Sequence, residues 1–437
     1  MSQPDDFDNV DPVPPPPLDM SKWRKVPGWC LGLGGLVVVI GALVSFNHDG
    51  GREFGYSWLV AFMTCLSIGL GALFLVLAHH LFDAGWSVST RRFCEHLASL
   101  LFPWMAILFI PIALLAPRLF QWMLPQLQAH PDRALAAKSP WFTYPGFYLT
   151  AVGCFGFWWL ITNRLKYWSL KQDETGDARC TYKMRLHAGW GIWIFAFTLT
   201  AAAFMWMKGL QYQWFSTMYG VYYFAGSVWV ALALVYLITM ILDRQRILTD
   251  VLHEHQFYFI GSLMFAFTVF YAYITFAQYF IIWNANMPEE TFWYVLRERG
   301  TWFWVAMVII FGHFFLPFLA LLRIDVKHTF ALMVPICLWS FLMHFVDMTF
   351  NILPVVHPEG FPFQWVWLPI GCVVFMGGLL TMVFMRKFAS APPFPLKDPR
   401  LMEAMGLYHP VPTQISGGEV EDVDDLPGGE VQHGGGH

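Results

Sequence analysis

Ten times along this chain a run of about twenty or more residues passes almost without charge, and that repetition limits what the chain can fold into. The runs lie at 27–46, 56–82, 93–117, 145–168, 187–206, 217–242, 257–284, 301–322, 329–351 and 364–385. A helix crossing a bilayer needs about 20 predominantly apolar residues, and each run has that length. Porin-like barrels are excluded, because their strands are about ten residues long and alternate in polarity. Charged residues make up 13% of the chain, against roughly 25% in soluble domains. A water-soluble fold has too little polar surface to cover so much apolar chain. The sequence therefore reads as an all-α polytopic membrane protein with ten transmembrane helices. Trp29, Tyr56, Trp86, Trp141, Tyr167, Trp168, Trp302 and Trp365 sit at the ends of runs, as interfacial anchors do.

Ten crossings alternate sides, so the loops fall into two sets. The set that includes both termini carries 19 of the 26 Lys and Arg residues and the other set 7. The positive-inside rule then places both termini in the cytoplasm. Residues 1–22 are acidic and proline-rich (DPVPPPPLD) and lack the pattern of a cleavable signal. The tail after residue 411 is rich in Gly and acid and reads as disordered. A net charge of −4 gives no reason to expect a nucleic-acid partner. The seven cysteines form no CxxC or CxxCH pair, so no iron–sulfur cluster or c-type haem is expected on this chain. Cys180 is placed in a loop, and the other six read as small core residues.

A faint internal repeat organises the runs. Spans two to five and six to nine each carry a Glu-His pair (Glu95-His96; Glu254-His255) and a Trp-Phe pair (Trp141-Phe142; Trp302-Phe303). Each also has a basic residue with His before its last span (Arg185, His187; Lys327, His328). Two four-helix bundles with a flanking helix at each end would follow. The partition is 1–22 N-terminus, 23–55 first span, 56–206 first bundle, 207–352 second bundle, 353–386 tenth span and 387–437 tail.

A charge at the centre of a span costs about 2.5–3.5 kcal/mol on insertion scales, so ionisable groups there are functional candidates. Deep in the spans lie His313, in the eighth, and His344 with Asp347, one turn apart in the ninth. A carboxylate beside an imidazole can hold a proton near neutral pH and pass it on. Alternatively, such groups only cross-link helices by hydrogen bonds. A second group fills LVLAHHLFDAGWSVSTRRFCEH, residues 75–96. At spacings of three and four, Asp83 is within reach of His79 and His80, and Arg91 and Arg92 of Glu95. His96 follows, and His187 begins the fifth span on the same side. These groups lie within about two turns of the interface, where water reaches, and by themselves read as a capped, ion-paired helix end. A b-type haem would need two histidines at matching depth, and these lie at the membrane edge, so none is expected. No phosphate loop, nucleophile motif or metal spacing is present, and no catalytic residue is assigned.

Several stretches carry a family resemblance: LVLAHHLFDAGWSVSTRRFCEHL (75–97), WFSTMYGVYYFAGS (214–227), FAFTVFYAYITFAQYFIIWNANMPEET (265–291), HFFLPFLALL (313–322) and KDPRLMEA (397–404). With the ten-span layout they resemble, over about 20–408, the F subunit of alternative complex III. That complex is a bacterial quinol:cytochrome c (or oxidase) oxidoreductase, and its F subunit belongs to the NrfD-like, polysulfide-reductase-membrane-subunit family. The resemblance implies a multi-pass subunit of the bacterial inner membrane that is itself non-catalytic and without a redox centre. Its implied partners are a second NrfD-like subunit (C), an iron–sulfur subunit (B), multihaem cytochrome c subunits, and cytochrome c or a terminal oxidase as acceptor. Haem c, iron–sulfur clusters and quinol would all sit in those partners. The resemblance also implies proton half-channels. His79, His80, Asp83, Glu95 and His96, with His187 on the same side, would take up protons from the cytoplasm, and His313, His344 and Asp347 would belong to the outer half. Two departures stand out. Many members have Asp-Trp where this chain has Met205-Trp206, and an acidic or lysine-bearing start to span seven where it reads FYFIGSL. If the repeat is real, Met205 matches Asp347. Two further readings stay open: direct quinol binding at His344 or Asp347, and a secondary transporter, which the parallel repeat disfavours.

Overall fold

A computed structural model of the protein describes residues 25–248, 251–253 and 255–406. The 1–22 segment, Glu254 and the tail after 411 lie outside the described residues. Those described are helices and connections, with no strand among them. Ten helices are long and apolar enough to cross a membrane, which makes this a multi-pass membrane protein. They are α1 Lys25–Asp49, α2 Arg52–Leu81, α3 Val88–Leu119, α4 Tyr144–Thr175, α5 Arg179–Trp206, α6 Tyr219–Arg244, α7 His255–Ala285, α8 Trp302–Leu321, α9 Phe330–Val355 and α10 Trp367–Phe388. Ten crossings put Lys25 and Phe388, the ends of the described bundle, on one side, the terminal face.

α2 and α6 are buried on nearly every side, while the other helices present one face outward. Both sequences are apolar all round, as a central helix requires. α2 packs on α3, α5, α6, α9 and α10, and α6 also on α5, α7 and α9. α1 lies along α10, where Gly34 meets Phe375 and Gly378 meets Cys30. Small residues permit that close approach. Two helices are irregular. α3 is kinked at Leu101–Met105, where Phe102 is extended (φ −140°, ψ 137°) next to Pro103. α8 contains a π-type turn at Ile310–Phe315.

Several details differ from the sequence expectation. The segment between spans four and five is helical almost throughout, because KYWSLKQDET is rich in helix formers. α4 continues to Thr175 and stops where Gly176, at φ 69°, donates to Gln172 O. Cys180 is therefore not in a loop; it lies buried in the first turn of α5. Tyr56 and Trp302 are core residues, with their polar tips spent on Leu119 O and His357 O. Beyond α10 the chain turns back across the terminal face and buries Phe394, Asp398, Arg400 and Leu401.

Candidate functional site

The π-type turn in α8 aims His313 into the space between α6, α7 and α9. Widening the helix there frees the Gly312 carbonyl, which accepts from the indole of Trp339 at 2.7 Å. The His313 ring is clamped between Trp229, at 4.0 Å and 24°, and Tyr271, at 3.9 Å and 19°. Neither of its nitrogens has a hydrogen-bond partner. α9 supplies His344 and Asp347 from one face, one turn apart. His344 Nε2 lies 2.7 Å from Ser67 Oγ of α2. The Ser67 hydroxyl proton goes to Thr64 O, at 2.7 Å, so Nε2 is the donor of that pair and Nδ1 keeps a free lone pair. That Nδ1 has no partner.

Asp347 divides its two oxygens between different roles. Oδ1 accepts from the Tyr222 hydroxyl and, at 3.4 Å, from Asn351 Nδ2. Oδ2 has no partner. Outward from Oδ1 runs a chain of polar groups. Asn351 Nδ2 donates to Tyr222 OH at 2.7 Å, Tyr219 OH donates to Asn351 Oδ1 at 2.9 Å, and Arg297 Nη2 donates to Asn351 O at 2.8 Å. Arg297 lies in the connection before α8, buried on the ring of Trp293 at 3.6 Å. It also donates to Gln211 Oε1 at 3.1 Å and to the carbonyls of Trp293 and Phe350. Among the described residues it has no ion-pair partner, and burial lowers its pKa.

The three sequence-predicted residues of the deep group thus come together. One donor atom from each of His313, His344 and Asp347 lies within 4.8 Å of the others, and all three residues are buried. Sequence reasoning missed Ser67, Tyr219, Tyr222, Tyr271, Asn351 and Arg297. One signal was legible: Tyr219 and Tyr222 sit one turn apart in an apolar run, so two phenols share a face.

The second predicted group also assembles, but differently. Arg91 pairs with Glu95 at 3.2 Å and Arg92 with Glu95 at 3.4 Å, as the spacing predicts. Arg91 also binds Asp398, and Arg92 binds Asp173. His79 Nδ1 is 2.6 Å from Ser87 Oγ, and its Nε2 is 3.2 Å from Arg91. His80 packs on His79 with both nitrogens unpartnered, and His96 Nδ1 meets Lys166 at 3.3 Å. Two expectations are corrected. Asp83 does not bond the imidazoles; at φ 52° it turns outward and pairs with Arg400 at 2.7 Å and Arg185 at 2.6 Å. Nor is the cluster open to water: His79, His80, Arg91, Arg92, Glu95 and His96 are all buried, because the returning tail covers them. His187 stays apart, half-buried against Trp190. Within the tail, Arg400 grips Asp398 through Nε and Nη2, each at 3.0 Å. Burial would raise the Asp398 pKa, but Arg91 and Arg400 outweigh it and hold the carboxyl well below the ordinary range.

A cavity of about 530 Å³ reaches His79 and Arg91 sideways between α2, α3, α6 and α7, with mostly apolar walls. The two polar groups do not meet along α2. Between Ser67 and His79 lie eleven residues without a polar side chain, about 18 Å of helix. No family model matches the chain, and no curated protein matches it.

Proposed function

We propose that this chain is a non-redox membrane subunit of a quinol-oxidising respiratory complex, of the alternative complex III kind its motifs resemble. On this reading it sits in a bacterial inner membrane with both termini cytoplasmic. It acts as a scaffold and carries a proton half-path that opens to the outer side and ends at Asp347. Haem c, iron–sulfur clusters and quinol belong to its partners.

The observation that carries the reading is the unsatisfied buried site. Asp347 Oδ2 and three imidazole nitrogens lack partners at span depth, where polar groups are costly and usually paired. From Asp347 a phenol–amide chain leads towards the face opposite the termini. A half-path also matters energetically: moving one charge through 100 mV is worth about 2.3 kcal/mol. Two four-helix bundles are supported by the packing of α2, α3, α4 and α5 in sequence, and of α6, α7, α8 and α9 likewise. Direct quinol binding at His344 or Asp347 is the weaker reading, because Trp229 and Tyr271 already occupy both faces of the neighbouring His313.

The test is Asp347→Asn in the intact complex, with proton uptake measured per quinol oxidised. A lower stoichiometry is expected with the complex still assembled. Unchanged stoichiometry and turnover would leave only the scaffold.

A further inference from the structure

We infer that His313, His344 and Asp347 form a binding site for one transition-metal ion of the Zn2+ type. The inference does not depend on the half-path reading, because it concerns binding to the resting chain.

The donor set comes first. Two imidazoles and a carboxylate are the ligands that three-residue zinc sites use, with a fourth position left for water. Ca2+ and Mg2+ prefer six or more oxygens, and Cu+ prefers sulfur, so neither chemistry fits. The donors are also free. His344 Nδ1, Asp347 Oδ2 and both His313 nitrogens have no competing hydrogen bond, and one donor atom of each residue lies within 4.8 Å of one from each of the other two. Zn–N and Zn–O bonds of about 2.0–2.2 Å bring ligands to roughly 3.3 Å apart, so closure requires shifts of about 1 Å or less per side chain.

The surroundings hold His344 and Asp347 as metal sites hold their ligands, and His313 by stacking alone. Ligating histidines usually donate their second N–H to a neighbouring acceptor, which fixes the ring, and ligating carboxylates are hydrogen-bonded in turn. His344 donates through Nε2 to Ser67, which Thr64 O orients. Asp347 Oδ1 is held by Tyr222 and Asn351, leaving Oδ2 for the metal. Trp229 and Tyr271 fix the plane of His313. Charge balance is attainable as well: with Asp347 and one metal-bound hydroxide, a divalent ion is neutral, as burial at span depth demands. The water that supplies the hydroxide gives up one proton, and metal-bound water does so near pH 7.

The experiment uses the full chain in lipid nanodiscs, stripped with EDTA and then titrated with ZnCl2 or CoCl2. Bound metal is measured after desalting, and Co2+ is read by the d–d absorption that distinguishes tetrahedral from octahedral ions. One ion per chain and a tetrahedral spectrum are expected. His313→Ala and His344→Ala should lose the ion, and Asp347→Asn should weaken binding at least about tenfold. His253→Ala with His255→Ala, at a histidine pair elsewhere, should change nothing. Ser67→Ala, which preserves the ligands, should cost about 10–100-fold in affinity and serves if a ligand variant fails to fold. No retained ion, an octahedral spectrum, or retention indifferent to His313, His344 and Ser67 would overturn the site. The half-path is judged separately, by proton uptake in Asp347→Asn.

Discussion

Helices α2–α5 and α6–α9 differ in what their interiors hold, with Met205-Trp206 in the first set and Asp347-Met348 in the second. In the first set the interior is closed by rings. Trp206 meets Phe109 at 4.7 Å, Phe155 at 5.7 Å, Phe62 at 5.9 Å and Trp158 at 6.2 Å, and Met205 is buried beside them. In the second set the interior holds two imidazoles and a carboxylate with free lone pairs. The first set's buried charges cluster at the terminal face instead, where Glu95, Asp173 and Asp83, with Asp398 of the tail, each pair with a guanidinium. The first interior is therefore filled by these rings, with only the Trp206 indole N–H left unpartnered among them, whereas the second leaves a carboxylate oxygen and imidazole nitrogens unsatisfied. Each such group needs a physical reason of its own.

The largest expected effect tests that division directly. Trp206→Ala removes a ring that four others contact, and a buried Trp lost to Ala costs about 3–5 kcal/mol. Thermal unfolding in detergent should show a large drop for Trp206→Ala and little change for Asp347→Asn, which keeps the Oδ1 hydrogen bond. Equal destabilisation by the two would make Asp347 a structural cross-link and erase the contrast.

Asp398→Ala comes next, because removing one member of a buried ion pair costs about 3–5 kcal/mol, spread here between folding and docking of the tail. Arg91 would lose a partner, and protease should reach the returning tail sooner than in the native chain. The pH dependence has a definite sign. The folded pKa of Asp398 is depressed, so its contribution is present above the ordinary carboxylate pKa and fades as pH falls below it. Protection of the tail should weaken in acid in the native chain, and the variant should lack that dependence. An identical acid profile in both would place the latch elsewhere.

Met205→Asp asks whether the first interior can host what the second does. Introducing a charge at span depth costs about 2.5–3.5 kcal/mol, and the rings packed on the adjacent Trp206 are apolar, so the substitution should destabilise without changing proton uptake. A stable variant with altered uptake would show that the ring-filled core can also carry a proton.

How far these regions were legible follows from the range of the forces involved. Bilayer thickness imposes span length on local sequence, so all ten helices could be read from apolar runs. Helical spacing likewise revealed the Arg91, Arg92 and Glu95 pairs and the His344–Asp347 face. The closing contacts are non-local. Asp398 lies 307 residues from Arg91, and Tyr222 lies 125 residues from Asp347. No local pattern encodes such meetings. Asp83 was misjudged because its left-handed backbone, not its spacing, decides where its carboxylate points.

The smallest effect sharpens the same contrast at the face opposite the termini. There the second set buries Arg297 with four acceptor groups, whereas the first ends in Lys208, buried over the ring of Phe204 at 4.7 Å. Burial, with Lys138 nearby, pushes the Lys208 pKa down to about 8. Between about pH 8 and 10.5 the unfolded chain then binds a proton that the folded chain has released, so Lys208 makes stability rise with pH across that window. Lys208→Met should flatten the rise and be neutral or slightly stabilising at pH 7. Unfolding midpoints measured from pH 7 to 10 would show it, and a steeper rise in the variant would mean that Lys208 has a partner strong enough to hold its charge.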